Sequence, residues 1–399
     1  MRQFGMTGLL VAFLSASALF AATMQWSVYS TTADAYLGRG VGFVGDLNGD
    51  AVEEFVVGSV GVNNWAGRAY VYDGATRSLL TTLDGEGAGY RLGGRIAPAG
   101  DFNGDGINDA AIAAPKWGPG QQGRVYVFSG PVPAYTAVLF SATGATGDAL
   151  GDDLTGLDFN NDGFGDILVS SPYNDDGGSN AGKFQIFGGP DGRVLFSKTG
   201  IIAERSLGIS LAHGDVDGDR IQDIVAGTFY SSGVGKVYVY SGATGGVLLT
   251  KSGEGSRDRY GVVVGSAGDF NADGFADFVV GAPGAGKIYV YAGPSGALLA
   301  TKADAAEKLA PVGDINNDGY DDFAAGTPSY KAGNKRTGRI TIYGGPDLRV
   351  LSTITGPPDS DFGYFLSSGA DLTGDGVSDL LAGAPNYLRK GAAFLFSLP

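Results

Sequence analysis

The 399-residue chain carries 27 basic and 42 acidic residues, a formal net charge of −15, 70 glycines and no cysteine. So acidic a chain, with no basic stripe, excludes nucleic acid as a partner held through its phosphates. The lack of Cys excludes disulfides and thiol nucleophiles. Glycine at this level without a collagen period, among short Val, Ile, Tyr and Phe runs, predicts many tight turns between strands.

Residues 1–22 read as a secretory signal. Arg2 is followed by an apolar run from Gly8 to Phe20 and by the small residues Ala21 and Ala22. That run is too short to span a bilayer. Cleavage would leave residues 23–399 as one folded unit, secreted or held at the cell surface by association. An unpaired strand, Met24 to Ser30, comes next.

From there one acidic phrase, D-x-[N/D/T]-x-D-x-x-x-[D/E], recurs seven times. It starts at Asp46, Asp101, Asp158, Asp215, Asp269, Asp314 and Asp371, at steps of 55, 57, 57, 54, 45 and 57 residues. Periodicity at this scale means seven copies of one supersecondary unit. In the second unit a first strand covers Gly94 to Ala99, a second Ala110 to Ala114, a third Arg124 to Phe128 and a fourth about Ala137 to Ser141. The second strands (FVVGS, AAIAA, ILVSS and their counterparts) are apolar on both alternating faces, so they are expected to be buried on both. The third strands place Tyr70, Tyr72, Tyr126, Tyr238, Tyr240, Tyr289 and Tyr291 between neighbouring sheets. The sixth unit has Leu309-Ala310 and a first strand that reads about four residues short.

Four-stranded units of this length predict an all-β fold, a seven-bladed β-propeller with antiparallel blades. The last unit ends after its third strand, Ala392 to Ser397. The strand at Met24 to Ser30 is expected to complete that blade and close the ring.

The acidic loops join first to second strands. Ca²⁺ takes six to eight oxygens, and loop positions 1, 3, 5 and 9 can supply them with a carbonyl at position 7. The expected ligands are Asp46, Asn48, Asp50 and Glu54; Asp101, Asn103, Asp105 and Asp109; Asp158, Asn160, Asp162 and Asp166; Asp215, Asp217, Asp219 and Asp223; Asp269, Asn271, Asp273 and Asp277; Asp314, Asn316, Asp318 and Asp322; and Asp371, Thr373, Asp375 and Asp379. They hold just over half of the acidic residues, so up to seven Ca²⁺ would offset most of the formal charge. Position 12, where a helix–loop–helix calcium hand needs Glu, is Val57, Ile112 or Val280 inside a strand. Ala51 at position 6 of the first loop and Thr373 in the seventh mark these two as the weakest expected sites.

A Leu/Tyr/Phe-Gly pair precedes six of the loops: Leu37-Gly38, Leu92-Gly93, Leu150-Gly151, Leu207-Gly208, Tyr260-Gly261 and Phe362-Gly363. A Gly-Ala-Pro-like phrase follows, complete at Gly281-Ala282-Pro283 and Gly383-Ala384-Pro385. The chain therefore resembles the FG-GAP repeat family and the propeller head of integrin α-subunits. That resemblance implies Ca²⁺ in the first hairpins on one face, and an extracellular adhesion or ligand-binding role through the other. With no Arg-Gly-Asp tripeptide, and no leg domain or membrane span following the seventh unit, the expectation is a free-standing secreted propeller.

On the opposite face the loops between second and third strands carry Trp65, Trp117, Tyr173, Tyr230, Tyr330 and Tyr387, a candidate surface for a protein or glycan ligand. These aromatics could equally cap the blades. His213, the only histidine, reads as a packing residue of a first strand, and no G-x-S-x-G elbow is present. A non-enzymatic adhesion module is the leading reading. A glycan-binding lectin is the alternative, and a Ca²⁺-dependent polysaccharide-degrading enzyme a more distant one.

Overall fold

A computed structural model describes residues 2–3, 21–130, 137–202, 205–229 and 234–398. Most of the expected signal lies outside the described residues. Among those described, no helix is long and apolar enough to cross a membrane.

Seven four-stranded antiparallel sheets form a closed ring. Blade 1 is Leu37–Gly45, Glu54–Ser59, Arg68–Tyr72 and Leu79–Asp84. Blades 2 to 6 repeat this order, with innermost strands Arg95–Gly100, Leu154–Leu157, Leu211–Gly214, Val263–Gly268 and Lys308–Gly313. Blade 7 takes Leu366–Ser368, Leu380–Ala384 and Ala392–Ser397 from the end of the chain and Thr23–Tyr29 from its start. The expected closure is therefore what forms. A further short strand, Arg2–Gln3, pairs outside Thr23–Tyr29.

The second strands are buried along their whole length, because each sheet is covered on both sides by its neighbours. The third-strand tyrosines are buried too, packed in the clusters between blades. Trp26, on the outer strand of blade 7, meets Phe55 and Tyr72 of blade 1 edge-on at 5.0 and 4.9 Å, which locks the closing seam.

The Leu-Gly and Gly-Ala-Pro phrases lie along these seams. Leu92 N–H donates to Ala66 O in the preceding blade, and Gly93 N–H donates to Ala113 O in its own. At ring closure Leu37 N–H donates to Lys390 O. Gly38 sits at φ +82°, and a Cβ there would lie 2.1 Å from Ala392 O. Only glycine permits that approach.

Blade 6 departs from expectation. Its innermost strand is not short: Lys308–Gly313 matches those of blades 2 and 5. The missing residues come from the connection before it, 303–307, where blades 1 and 2 are joined by 85–94, and from the tight 283–286 loop of blade 5. Leu309-Ala310 thus lies within the strand and is no counterpart of the Leu-Gly pairs. Asp304 fills the seam instead. Its buried carboxylate accepts from Thr327 Oγ1 at 2.7 Å, from Tyr343 OH at 2.7 Å and from Arg339 Nη2 at 3.2 Å. A buried charge persists only when paired and hydrogen-bonded in this way.

Candidate metal centres and the opposite face

All seven acidic loops fold on one scheme. In the second, Asp101 Oδ1 accepts the N–H groups of Gly104 and Asp105 at 2.7 and 3.0 Å, and Oδ2 accepts that of Gly106 at 2.8 Å. Asp105 N–H donates to Asn103 Oδ1, and Ile107 N–H to Asp105 Oδ1. Asp46, Asp158, Asp215, Asp269, Asp314 and Asp371 gather N–H groups likewise. Position 6 must be left-handed. Glycine supplies this in five loops, while Ala51 (φ +67°) and Arg220 (φ +70°) adopt it at a cost of about 1 kcal/mol.

The acid at position 9 has a structural duty that its place in the motif does not disclose. Asp109, Asp166, Asp223 and Asp322 are fully buried and face two ways. One oxygen accepts the N–H of loop position 2: Phe102, Phe159, Val216 or Ile315. The other accepts an N–H from the turn between third and fourth strands: Gly130, Gly189, Gly242 or Gly345. Glu54 reaches Leu47 and Gly74 in the same way, and Asp277 reaches Gly293. These carboxylates staple the two kinds of turn together on one face. Blade 7 has no such turn, since its fourth strand comes from the chain start. Asp379 accordingly reaches only Leu372 and Thr373 within its own loop. Burial lifts these acids to about 6 at Asp109, Asp166, Asp223 and Asp379, and to about 7 at Glu54, Asp277 and Asp322.

Among the described residues, two sets of three carboxylates converge with their nearest oxygens within 4.8 Å of one another: Asp50, Glu54 and Asp73, and Asp215, Asp217 and Asp223. Asp73 lies outside the nine-residue phrase, at the start of the third-to-fourth turn, so the motif alone could not find it. It adds a carboxylate to a loop whose composition ranks it among the weakest. Loop 6, with a full ligand set, shows the reverse. The Arg349 guanidinium contacts Asp318 and lies 3.2 Å from Asn316 Oδ1. A cation there must displace a resident positive charge.

The opposite face is less uniform than the sequence implies. Trp65 and Tyr173 are exposed, at 37% and 39%, while Trp117 and Tyr330 are half-buried and Tyr387 is buried. Tyr230 lies outside the described residues. Several of these rings are already engaged. Arg124 stacks on Trp117 at 4.6 Å, while the indole N–H donates to Glu86 at 2.9 Å. Arg339 covers Tyr330 at 4.4 Å, and Tyr387 packs on Tyr29 at 5.6 Å. Trp65 stands at the end of three consecutive left-handed residues, Asn63 to Trp65, between Tyr36 and Arg91.

A model of the FG-GAP repeat matches residues 93–128, 150–187, 261–294, 309–343 and 362–396. Five of the chain's seven blades are FG-GAP repeats. The matches cover blades 2, 3, 5, 6 and 7. Unmatched blades 1 and 4 are those whose loops put Ala51 and Arg220 where the others have glycine.

Among curated proteins, this FG-GAP chain is similar to integrin alpha-PS2 of Drosophila melanogaster, 35% identical over 26% of this chain and 9% of the relative. It is also similar to mouse integrin alpha-3, 38% identical over 23% of this chain and 10% of the relative. Mouse integrin alpha-IIb is 34% identical over 33% of this chain and 14% of the relative. The matches thus span about a tenth of these relatives' length. Among solved structures, one titled "Structure of Dos1 propeller" superimposes with a TM-score of 0.52 at 11% identity, covering 96% of this chain and 82% of that one. That likeness shows the fold alone.

His213 of this FG-GAP propeller lines the central channel from the innermost strand of blade 4. Its Nδ1 lies 3.0 Å from Gln222 Oε1 and its Nε2 3.5 Å from Thr155 Oγ1, and burial lowers its pKa.

Proposed function

We propose that this chain is a secreted, Ca²⁺-binding, non-catalytic module that binds an extracellular protein or glycan through the face opposite its acidic loops. The observation that carries the reading is the seven-fold repetition of one loop scheme on a single face. In each loop the position 1 carboxylate accepts backbone N–H groups of its own loop, which fixes the loop's shape. At Asp50/Glu54/Asp73 and Asp215/Asp217/Asp223 three carboxylates gather within reach of one ion. Such crowding is relieved by a hard divalent cation. The similarity to integrin α-subunits supports adhesion as the role.

The Ca²⁺ test is direct. Protein dialysed against chelator should melt well below Ca²⁺-loaded protein, and native mass spectrometry should count bound ions. Identical melting with no retained ions removes the reading. For the ligand face, exposure selects Trp65 and Tyr173. Their joint replacement by Ala should weaken ligand capture without lowering Tm. The same pair of exposed aromatics favours a lectin as the second reading, which a glycan array would separate from protein adhesion.

A further inference from the structure

The innermost strands all run in one direction, from the aromatic face toward the acidic loops, around a channel with a cavity of about 610 Å³. Its mouth on the aromatic face is cationic, in a chain that is otherwise strongly acidic. Arg95 and Lys308 each open an innermost strand and line the cavity. Both sit 4.5 Å from the ring of Phe365, and the Arg39 guanidinium lies 5.6 Å from the same ring and 4.4 Å from Tyr364. Three cations thus share one aromatic ring, drawn from three different blades.

Their charge is poorly answered. Among the described residues Asp153 is the one carboxylate in ion-pair reach, 3.5 Å from Arg95 Nε, and its other oxygen already accepts Leu211 N–H at 2.8 Å. Among the described residues Arg39 and Lys308 have no ion-pair partner, and Arg39 Nη1 is buried without an acceptor. Asp152 is the remaining acid close enough to act on the group. With Arg91, which also acts on Arg39, four positive charges face two negative ones, so the mouth is net cationic, with unused guanidinium donors. Immediately below it the lining includes the apolar Ile96, Leu211, Val264 and Leu309, with Thr155, His213 and Ser266 further along the strands.

We propose that the channel mouth formed by Arg39, Arg95 and Lys308 around Phe365 is a recognition site for a carboxylate. Guanidinium forks match the planar carboxylate. The cationic mouth suits an anion, and the flanking carboxylates of Asp152 and Asp153 favour a monoanion over a phosphate dianion. The carboxylate can belong to a small organic acid whose apolar body enters the channel, or to an acidic side chain of a docked protein. The inference does not depend on Ca²⁺ in the loops or on adhesion.

The test is calorimetric titration of the full chain with sodium hexanoate, hexanol, inorganic phosphate and a glutamate-containing peptide, with and without Ca²⁺. Hexanoate or the peptide should bind, and hexanol and phosphate should not. Hexanoate binding assigns a small-molecule source, and binding of the peptide alone a macromolecular one. Lys308→Met and Arg95→Gln should each weaken binding about tenfold, the loss expected for a charge-assisted hydrogen bond. Lys308→Met removes a poorly compensated charge, so it should fold. In the wild type, affinity should also fall as pH passes about 8, where Lys308, which faces Arg39, Arg95, Asp152 and Asp153, loses its proton. No carboxylate binding, equal binding of phosphate, or unchanged affinity in both variants overturns the proposal. Failure of the chelator experiment with carboxylate binding intact would leave this site standing.

Discussion

Replacing Asp166 by Ala tests whether the position 9 acids hold the blades together independently of metal. The side chain is fully buried, accepting Phe159 N–H at 2.8 Å and Gly189 N–H at 3.0 Å. Alanine strips the acceptor from two buried donors, each costing about 1–3 kcal/mol when left unpaired. Asp379→Ala is the matched control. Burial holds both acids up at about 6, so relief of the buried charge is common to the two and cancels. The Asp379 donors, Leu372 and Thr373, are only part-buried and can turn to water, and no turn between third and fourth strands is lost. We expect Asp166→Ala to cost about 2 kcal/mol more than Asp379→Ala, or about 3 °C in Tm for a chain of this size. The assay is urea unfolding of both variants in excess chelator. Equal losses, or a loss at Asp166 that appears only with Ca²⁺ present, refute the staple.

Three more predictions follow from the same geometry. In chelator, the position 9 acids bind protons more tightly folded than unfolded, having risen from about 4 to about 6 or 7. Metal-free stability should therefore fall as pH rises from about 4 to 7, a trend that Ca²⁺ should blunt; a urea midpoint that climbs over this range contradicts it. Lys308 is lowered by burial to about 8, so the folded protein holds fewer protons than the unfolded chain between about 8 and 10.5, and its contribution to stability rises with pH there. Lys308→Met should accordingly raise stability at pH 7 by about 1–2 kcal/mol, and a loss measured by the same unfolding assay would be contrary. Gly383→Ala would bring a Cβ within 2.0 Å of Gly38 O and should cost about 3 kcal/mol, with hydrogen exchange fastest along Thr23–Tyr29.

The fold was legible because seven copies repeat the same information. The third-strand bounds Arg124–Phe128 and Ala392–Ser397 agree with the pattern, and Thr23–Tyr29 differs by one residue at each end. What escaped is what does not repeat. Asp304 replaces a missing Leu-Gly pair by a buried polar cluster, and no periodic template predicts that. Asp73 enters its loop from the neighbouring turn, and Arg349 from the start of a fourth strand. The spacing shows Asp166 as an acid at a loop end but not the N–H groups facing it. Arg39, Arg95 and Lys308 lie far apart in the chain and meet only because a closed ring brings its first, second and sixth blades to one axis.

That closure also fixes how the molecule bears load. Thr23 pairs directly with Ser397 at one end of the antiparallel ladder that ends with Tyr29 opposite Ala392. Tension applied at these two residues opens the pairs one after another from that end, as a zipper opens, and never loads the ladder in parallel. Pulling through the two ends of the ring should therefore part blade 7 at low force while the other six sheets stay intact.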